Sequence, residues 1–294
     1  MSDFEQRLAG GAVTVADGAT GTELERRGVP SGLPLWSAHA LMERPEAVEA
    51  VHRDYVAAGA EILTANTFRT QARTLARAGA AHRARELTHL AVALARRAAA
   101  DAPRTIWVAG SMPPLEDCYR PDRVPSDEEL AREHREHARH LADAGVDLLL
   151  LETLNTVREA RAALAAAEDT RLPVWLSFVC GPDARLLSGE PLAEALAAVD
   201  PFAPACVGVN CLTPPDAEAC LPMLAANGRP FGVYANLGEP DDHGGFSSSD
   251  AYAPTAFAGC TRTWRRAGAR IVGGCCGTRP GHIRAVAADR DDDG

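Results

Sequence analysis

Arg270-Ile271-Val272-Gly273-Gly274-Cys275-Cys276-Gly277 is the last of a series of apolar runs spaced along the chain. Ile271 and Val272 give it the character of a buried strand. Two glycines then release the backbone from strand geometry, and two adjacent thiols follow. Seven earlier runs have the same form: Ala12–Asp17, Glu61–Phe68, Thr105–Ser111, Leu148–Thr153, Pro173–Val179, Ala205–Cys211 and Phe231–Asn236. Each is strand length and almost continuously apolar, as in parallel strands covered on both faces.

The segments between them carry helical signals. Pro45–Ala58 sets Ala47, Val48, Val51, Tyr55 and Val56 near a 3.6-residue period. Gln71–Ala100 reads as two helices broken near Gly79. Ser126-Asp127-Glu128-Glu129 is a capping box that opens a helix to Ala144. Thr156–Ala167, Glu190–Val199, Pro215–Ala226, Tyr252–Ala267 and Pro280–Ala287 supply the rest. Eight strands alternating with helices predict an α/β fold, a (β/α)8 TIM barrel in a single domain over residues 1–288. A doubly wound open sheet is the rival that strand counting leaves standing. Residues 289–294 read as an acidic, disordered tail.

A barrel requires its reactive residues at the C-terminal ends of the strands. Those ends read Asp17-Gly18-Ala19-Thr20, Asn66-Thr67-Phe68, Gly110-Ser111, Glu152-Thr153, Asn210-Cys211, Asn236 and Gly274-Cys275-Cys276. A disulfide between neighbouring cysteines is strained. The flanking glycines instead let both sulfurs turn toward one point. Cys211, at the end of another run, faces that point across a closed barrel mouth. Three thiolates suit Zn2+, and three protein ligands leave the open position of a catalytic site. The competing reading makes them small packed hydrophobes. Packing is the expectation for the other cysteines, Cys118, Cys180, Cys206, Cys220 and Cys260. His134, His137 and His140 lie in a charge-rich helix and read as a solvated outer face. The Asp17–Thr22 loop has neither the Lys of a P-loop nor a third dinucleotide-type glycine, so no nucleotide site is expected.

Composition narrows the function classes. Of the 294 residues, 46% are apolar and 24% charged, which excludes a disordered or collagen-like chain. The balance of 30 Lys plus Arg against 40 Asp plus Glu gives −10. That argues against nucleic acid or an anionic membrane as a partner. The N-terminus has no signal-peptide pattern, and no apolar stretch is long enough to span a bilayer. Eight cysteines are too few for a disulfide scaffold and read as reduced thiols of a cytoplasmic protein.

With these motifs in place, the chain resembles the homocysteine S-methyltransferase family of zinc-dependent (β/α)8 barrels. The resemblance rests on Asp17-Gly-Ala-Thr-Gly-Thr-Glu-Leu-Glu25, Ala65-Asn-Thr-Phe68, Glu152-Thr153, Gly208-Val-Asn-Cys211, Tyr234-Ala-Asn-Leu-Gly-Glu239 and Gly273-Gly-Cys-Cys-Gly-Thr278. It implies that Cys211, Cys275 and Cys276 are zinc ligands and form a catalytic set with Glu152. It implies that Asp17, Gly18, Thr67 and Glu152 bind homocysteine, with Asn210 and Asn236 as substrate-binding or backbone-holding residues. The implied reaction moves a methyl group to homocysteine, giving methionine. The donor is S-methylmethionine, S-adenosylmethionine or a betaine-type compound. Trp36, Tyr119 and Phe246 are candidates to cage its cationic methyl group. Alternatives are a methyltransferase for selenocysteine or another thiol, and a non-catalytic zinc- or thiol-binding barrel. Homo-oligomerisation stays open. The segment Gly110–Tyr119 departs from the Gly-Pro-Tyr-Gly run common in family members that use S-methylmethionine.

Overall fold

Leu148, Leu149, Leu150 and Leu151 are all buried, and they face two different cores. Successive side chains on a strand point to opposite faces. Leu148 and Leu150 pack inside a barrel with Trp175, Tyr234 and Ile271. Leu149 and Leu151 pack outward against the helices. This double burial is why the runs show no polar alternation.

The computed structural model describes residues 1–240, 246–248 and 250–292. Its barrel strands are β1 (Thr14–Val15), β2 (Ile62–Ala65), β3 (Trp107–Met112), β4 (Leu148–Leu154), β5 (Val174–Phe178), β6 (Cys206–Asn210), β7 (Phe231–Ala235) and β8 (Ile271–Gly274). All pairings are parallel and follow chain order, and β8 returns to β1. β1 meets β2 through a bridge between Ala16 and Ile62. There the Asp17 amide donates to the Ile62 carbonyl at 3.0 Å, and the Glu61 amide donates to the Val15 carbonyl at 2.7 Å. The sheet is closed, which removes the open-sheet alternative.

The bottom of the barrel is stopped by a helix not foreseen from the sequence, Asp3–Ala9, which begins with a Ser2/Glu5 capping box. Its Phe4 and Leu8 pack with Ile62, Trp107, Leu148, Cys206 and Ile271, the first residues of their strands. Phe4 meets Trp107 edge-on with ring centroids 5.9 Å apart. Higher in the barrel, Trp175 fills the interior. A Cβ on Gly232 would stand 2.7 Å from the Trp175 ring. The open end of the barrel is thus set on a packed aromatic floor.

Two expectations are corrected here. The helix Asp127–Ala144 buries His134 and His137 beside Leu130, Ala138 and Leu141. Their spacing puts them on the inward stripe of the helix, whatever charge surrounds them in sequence. His134 Nε2 lies 3.1 Å from Glu159 Oε1, and His137 Nε2 lies 3.1 Å from the Ser111 carbonyl. Burial pulls His137 down to about 3, so it is neutral. The acidic tail is also shorter than expected. The last helix continues from Pro280 through Asp292, Asp289 pairs with Arg262 and Arg265, and Arg290 pairs with Glu61. Residues 293–294 lie outside the described residues. No helix among the described residues is long and apolar enough to cross a membrane.

Candidate metal and substrate site

The ends of β6 and β8 bring three sulfurs together. The Sγ atoms of Cys211, Cys275 and Cys276 all lie within 4.8 Å of one another, and Cys211 and Cys275 are 2.9 Å apart. Local backbone explains the convergence. Cys211 leaves its strand with φ +56°, and Thr153 sits with φ +59° in an irregularity of β4, between Leu151 and Leu154 where the register with β5 shifts. Left-handed backbone at non-glycine residues, one of them β-branched, is strained and persists only where neighbours enforce it. Asn210 supplies that restraint: its Oδ1 accepts from the Thr153 amide at 2.9 Å, and its Nδ2 donates to Thr153 Oγ1 at 2.8 Å. The Thr153 hydroxyl then donates to Cys211 Sγ at 3.7 Å.

The adjacent pair is held as firmly. The Cys275 amide donates to the Ala235 carbonyl at 2.8 Å, extending the β7–β8 pairing. The Cys276 amide donates to Asn236 Oδ1 at 3.1 Å. Thr278 ties this corner to the loop after β1: its hydroxyl donates to the Cys275 carbonyl at 2.7 Å and accepts from the Ala19 amide at 3.1 Å. A Cβ on Gly274 would lie 2.4 Å from that hydroxyl, and one on Gly18 would lie 2.6 Å from it. Both glycines are needed for this close approach.

The three thiols cannot ionise together unaided. Contact with Cys275, together with burial, holds Cys211 well above the ordinary thiol value. Contact with Cys211 does the same to Cys276. Cys275 is lowered by Cys211, but Cys276 and burial outweigh that and raise it as well. A soft divalent cation reverses this balance, because coordinated thiols lose their protons. The donor set therefore fits a metal. The other cysteines stay out of the cluster. Cys118 lines the same cavity, but burial pushes its thiol up to about 12 despite the nearby charge of Arg69. Cys180 packs against Cys220 and does not line the cavity.

The cavity above the sulfurs has a volume of about 660 Å³. Asp17 and Glu152 face into it. Asp17 accepts from the Thr64 amide at 2.8 Å and the Thr64 hydroxyl at 3.0 Å. Burial, with a smaller push from the Glu152 charge, raises it to about 8. Glu152 accepts from Ser111 Oγ and from the Tyr234 hydroxyl, the latter at 3.2 Å. Burial raises it to about 7 against both of these bonds. Two buried carboxylates in one cavity, each hydrogen-bonded only by neutral groups, favour a cationic ligand.

The homocysteine S-methyltransferase family model matches residues 14–289 of the chain. The chain belongs to that family. The homocysteine S-methyltransferase YbgG of Bacillus subtilis (strain 168) is 33% identical over 98% of both chains. The metallated form of the homocysteine methyltransferase MmuM from Escherichia coli superposes with a TM-score of 0.82. It is 33% identical and covers 94% of this chain and 96% of its own. A protein of Brassica oleracea var. italica named selenocysteine Se-methyltransferase is 28% identical over 94% of this chain and 90% of its own. This chain is accordingly a methyltransferase.

As a homocysteine S-methyltransferase family member it distributes the expected site residues unevenly. Asp17, Gly18, Glu152 and the three cysteines line the cavity. Thr67, Asn210 and Asn236 are buried behind it and do not line it: Thr67 is placed away from the expected substrate contact, and the asparagines take the backbone-holding alternative. The Thr67 hydroxyl is committed to the Ser111 carbonyl at 3.0 Å. The two asparagines hold Thr153 and Cys276. Trp36 and Tyr119 line the cavity, joined by Phe68, which stands edge-on to Trp36 at 6.2 Å. The Phe246 side chain lies outside the described residues.

The divergent segment after β3 forms one wall. The Leu115 amide donates to Glu159 Oε1 at 2.8 Å, and Asn155 Nδ2 donates to the Cys118 carbonyl at 2.8 Å. Glu116 pairs with Arg73 and Arg77. The buried His134 thus steadies Glu159, and Glu159 steadies the wall. No pattern in the sequence announces this chain of contacts.

Proposed function

We propose that the protein methylates homocysteine to methionine, with zinc held by Cys211, Cys275 and Cys276 and a small cationic methyl donor. The observation that carries this reading is the meeting of three thiols with two buried carboxylates in one cavity. Zinc on these ligands would leave one position open and keep an acceptor thiol deprotonated at neutral pH, where a free thiol of pKa about 8.5 is mostly protonated.

The protein's own residues do the rest. Asp17 and Glu152 pair with the substrate ammonium and fix the amino-acid end. The strained Cys211 corner and the Asn236-held Cys276 keep the acceptor end in place, so little motion is lost on reaction. The acceptor sulfur attacks the donor methyl carbon in line. A sulfur–carbon bond forms as the methyl bond to the donor's charged heteroatom breaks. That bonding pair stays with the donor, which leaves without its positive charge. Trp36, Phe68 and Tyr119 offer aromatic faces to such a cation. S-Methylmethionine, S-adenosylmethionine and betaine-type donors all fit that description. Thiolate ligands call for a reducing compartment, which supports a cytoplasmic enzyme.

Purified under reducing conditions with metal supplied, the protein is expected to hold about one zinc per chain and to release a proton when homocysteine binds. Protein that takes up no zinc and binds no homocysteine would sink the proposal. Asn210→Ala is expected to weaken zinc binding about 10- to 100-fold, by releasing Thr153 and the Cys211 corner. Unchanged metal affinity alongside a lower Tm would reduce Asn210 to a folding role. A second reading keeps the mechanism and changes the acceptor to selenocysteine, as the Brassica relative's name suggests. Initial rates with homocysteine and selenocysteine, at one donor concentration, separate the two.

A further inference from the structure

Arg69 lies in the cavity and takes no part in the chemistry above. It follows Phe68 just beyond the end of β2, is only 8% exposed, and lines the same cavity as Asp17 and Glu152. Its guanidinium carbon sits 5.3 Å from the centroid of the Phe68 ring. Its Nε is fully buried and has no hydrogen-bond partner. Among the described residues, no carboxylate comes within ion-pair distance of it. The other arginines near this wall are satisfied: Arg73 pairs with Glu116, Glu129 and Glu133, and Arg120 pairs with Asp122.

A guanidinium is always charged and carries five donors in a fixed planar fork. Burying it without a carboxylate is costly, and the contact with the Phe68 ring offsets only part of that cost. The fork matches a carboxylate in a two-bond contact. Asp17 and Glu152 supply the opposite charge elsewhere in the cavity. Together they form the complement of an amino-acid zwitterion.

We propose that Arg69 is the carboxylate anchor of this cavity, receiving the carboxylate of a substrate in a bidentate pair. The proposal rests on the methyl-transfer reading and deepens it, because it requires one substrate, acceptor or donor, to be recognised through its carboxylate. Homocysteine carries such a group, and so does an amino-acid sulfonium donor.

The test uses the zinc-loaded full chain and the variants Arg69→Gln and Arg69→Lys. One arm measures calorimetric binding of homocysteine and of 3-aminopropane-1-thiol, which is homocysteine without its carboxylate. The other compares KM for S-methylmethionine and for (3-aminopropyl)dimethylsulfonium, its counterpart without a carboxylate. Wild type is expected to prefer the carboxylate-bearing member of one pair by about 10²-fold, and Arg69→Gln to lose most of that preference. Arg69→Lys should recover part of it, since charge remains but the fork does not. Loss in the first arm assigns the anchor to the acceptor, and loss in the second to the donor. If both preferences survive in Arg69→Gln, the proposal is overturned while the methyl-transfer reading stands. A wild type that binds neither homocysteine nor any methyl donor overturns both.

Discussion

Cys275→Ala is expected to leave the protein folded, strip it of zinc and lower kcat/KM for methyl transfer by more than about 10³-fold. The size of the effect follows from the cluster's composition. Three sulfurs are the whole ligand set found among the described residues, so each supplies a third of the protein's hold on the metal. Among the described residues no histidine joins the three sulfurs, and His134 and His137 are committed to Glu159 and the Ser111 carbonyl. Losing one sulfur also removes the means of keeping the acceptor thiol ionised at neutral pH. Folding should suffer little, because Cys275 sits at the barrel mouth and is partly exposed. Cys180→Ala provides the contrast. That side chain is buried in the outer core, and its removal is expected to cost about 1–2 kcal/mol of stability while zinc and turnover persist. Metal analysis, thermal melts and steady-state rates on the two variants decide the matter. Zinc and turnover retained in Cys275→Ala would defeat the proposed chemistry.

The barrel was legible because burial on both faces leaves its mark in single strands. Leu148–Leu151 needs no partner segment to be read as a doubly covered strand. The thiols were legible for a related reason: Gly273-Gly274-Cys275-Cys276 combines backbone freedom and ligand chemistry within four residues. What escaped the sequence depends on contacts between distant segments. Thr67 belongs to a strand end at the site, and for Asn210 and Asn236 the sequence leaves substrate contact and backbone holding both open; whether such a residue faces the cavity or braces its wall is set by local backbone geometry. The +59° φ of Thr153, which turns its amide and hydroxyl toward Asn210, cannot be seen in Glu152-Thr153 as letters. His134 and His137 were obscured by the charges around them, although Leu130 and Leu141 mark the same helical face. The Asp3–Ala9 plug carried a visible signal, Ser2 followed by Glu5 with Phe4 and Leu8 one turn apart. Strands alternating with helices from β1 onward give no place to a helix before β1, so the signal does not stand out in sequence. Arg69 was unremarkable in sequence, since only the structure reveals that no carboxylate among the described residues pairs with it.

Asp17→Asn is expected to weaken homocysteine binding about 10²- to 10³-fold and, in the same protein, to raise the stability of the ligand-free fold. The two effects share one cause. Burial lifts the Asp17 carboxyl to about 8 from an ordinary value of 3.8. The folded state therefore holds a proton that the unfolded chain gives up. Below pH 4 the carboxyl is neutral in both states and carries no penalty. As pH rises from there to about 8, the folded protein is progressively destabilised relative to the unfolded chain, and above that the penalty is constant. Asparagine can still accept from Thr64 and has no charge to bury, so its Tm advantage should grow over that same window. A ligand ammonium reverses the sign by pairing with the ionised form. Methionine, which has the ammonium but no titrating thiol, should bind more tightly as pH climbs through about 7 and about 8, where Glu152 and Asp17 ionise. In Glu152→Gln the lower step should vanish. The upper step should move down, because the Glu152 charge is one of the causes raising Asp17. Methionine affinity that stays flat from pH 6 to 9, or an Asp17→Asn protein that melts below wild type at pH 8, would show that these carboxylates do not form the ammonium site.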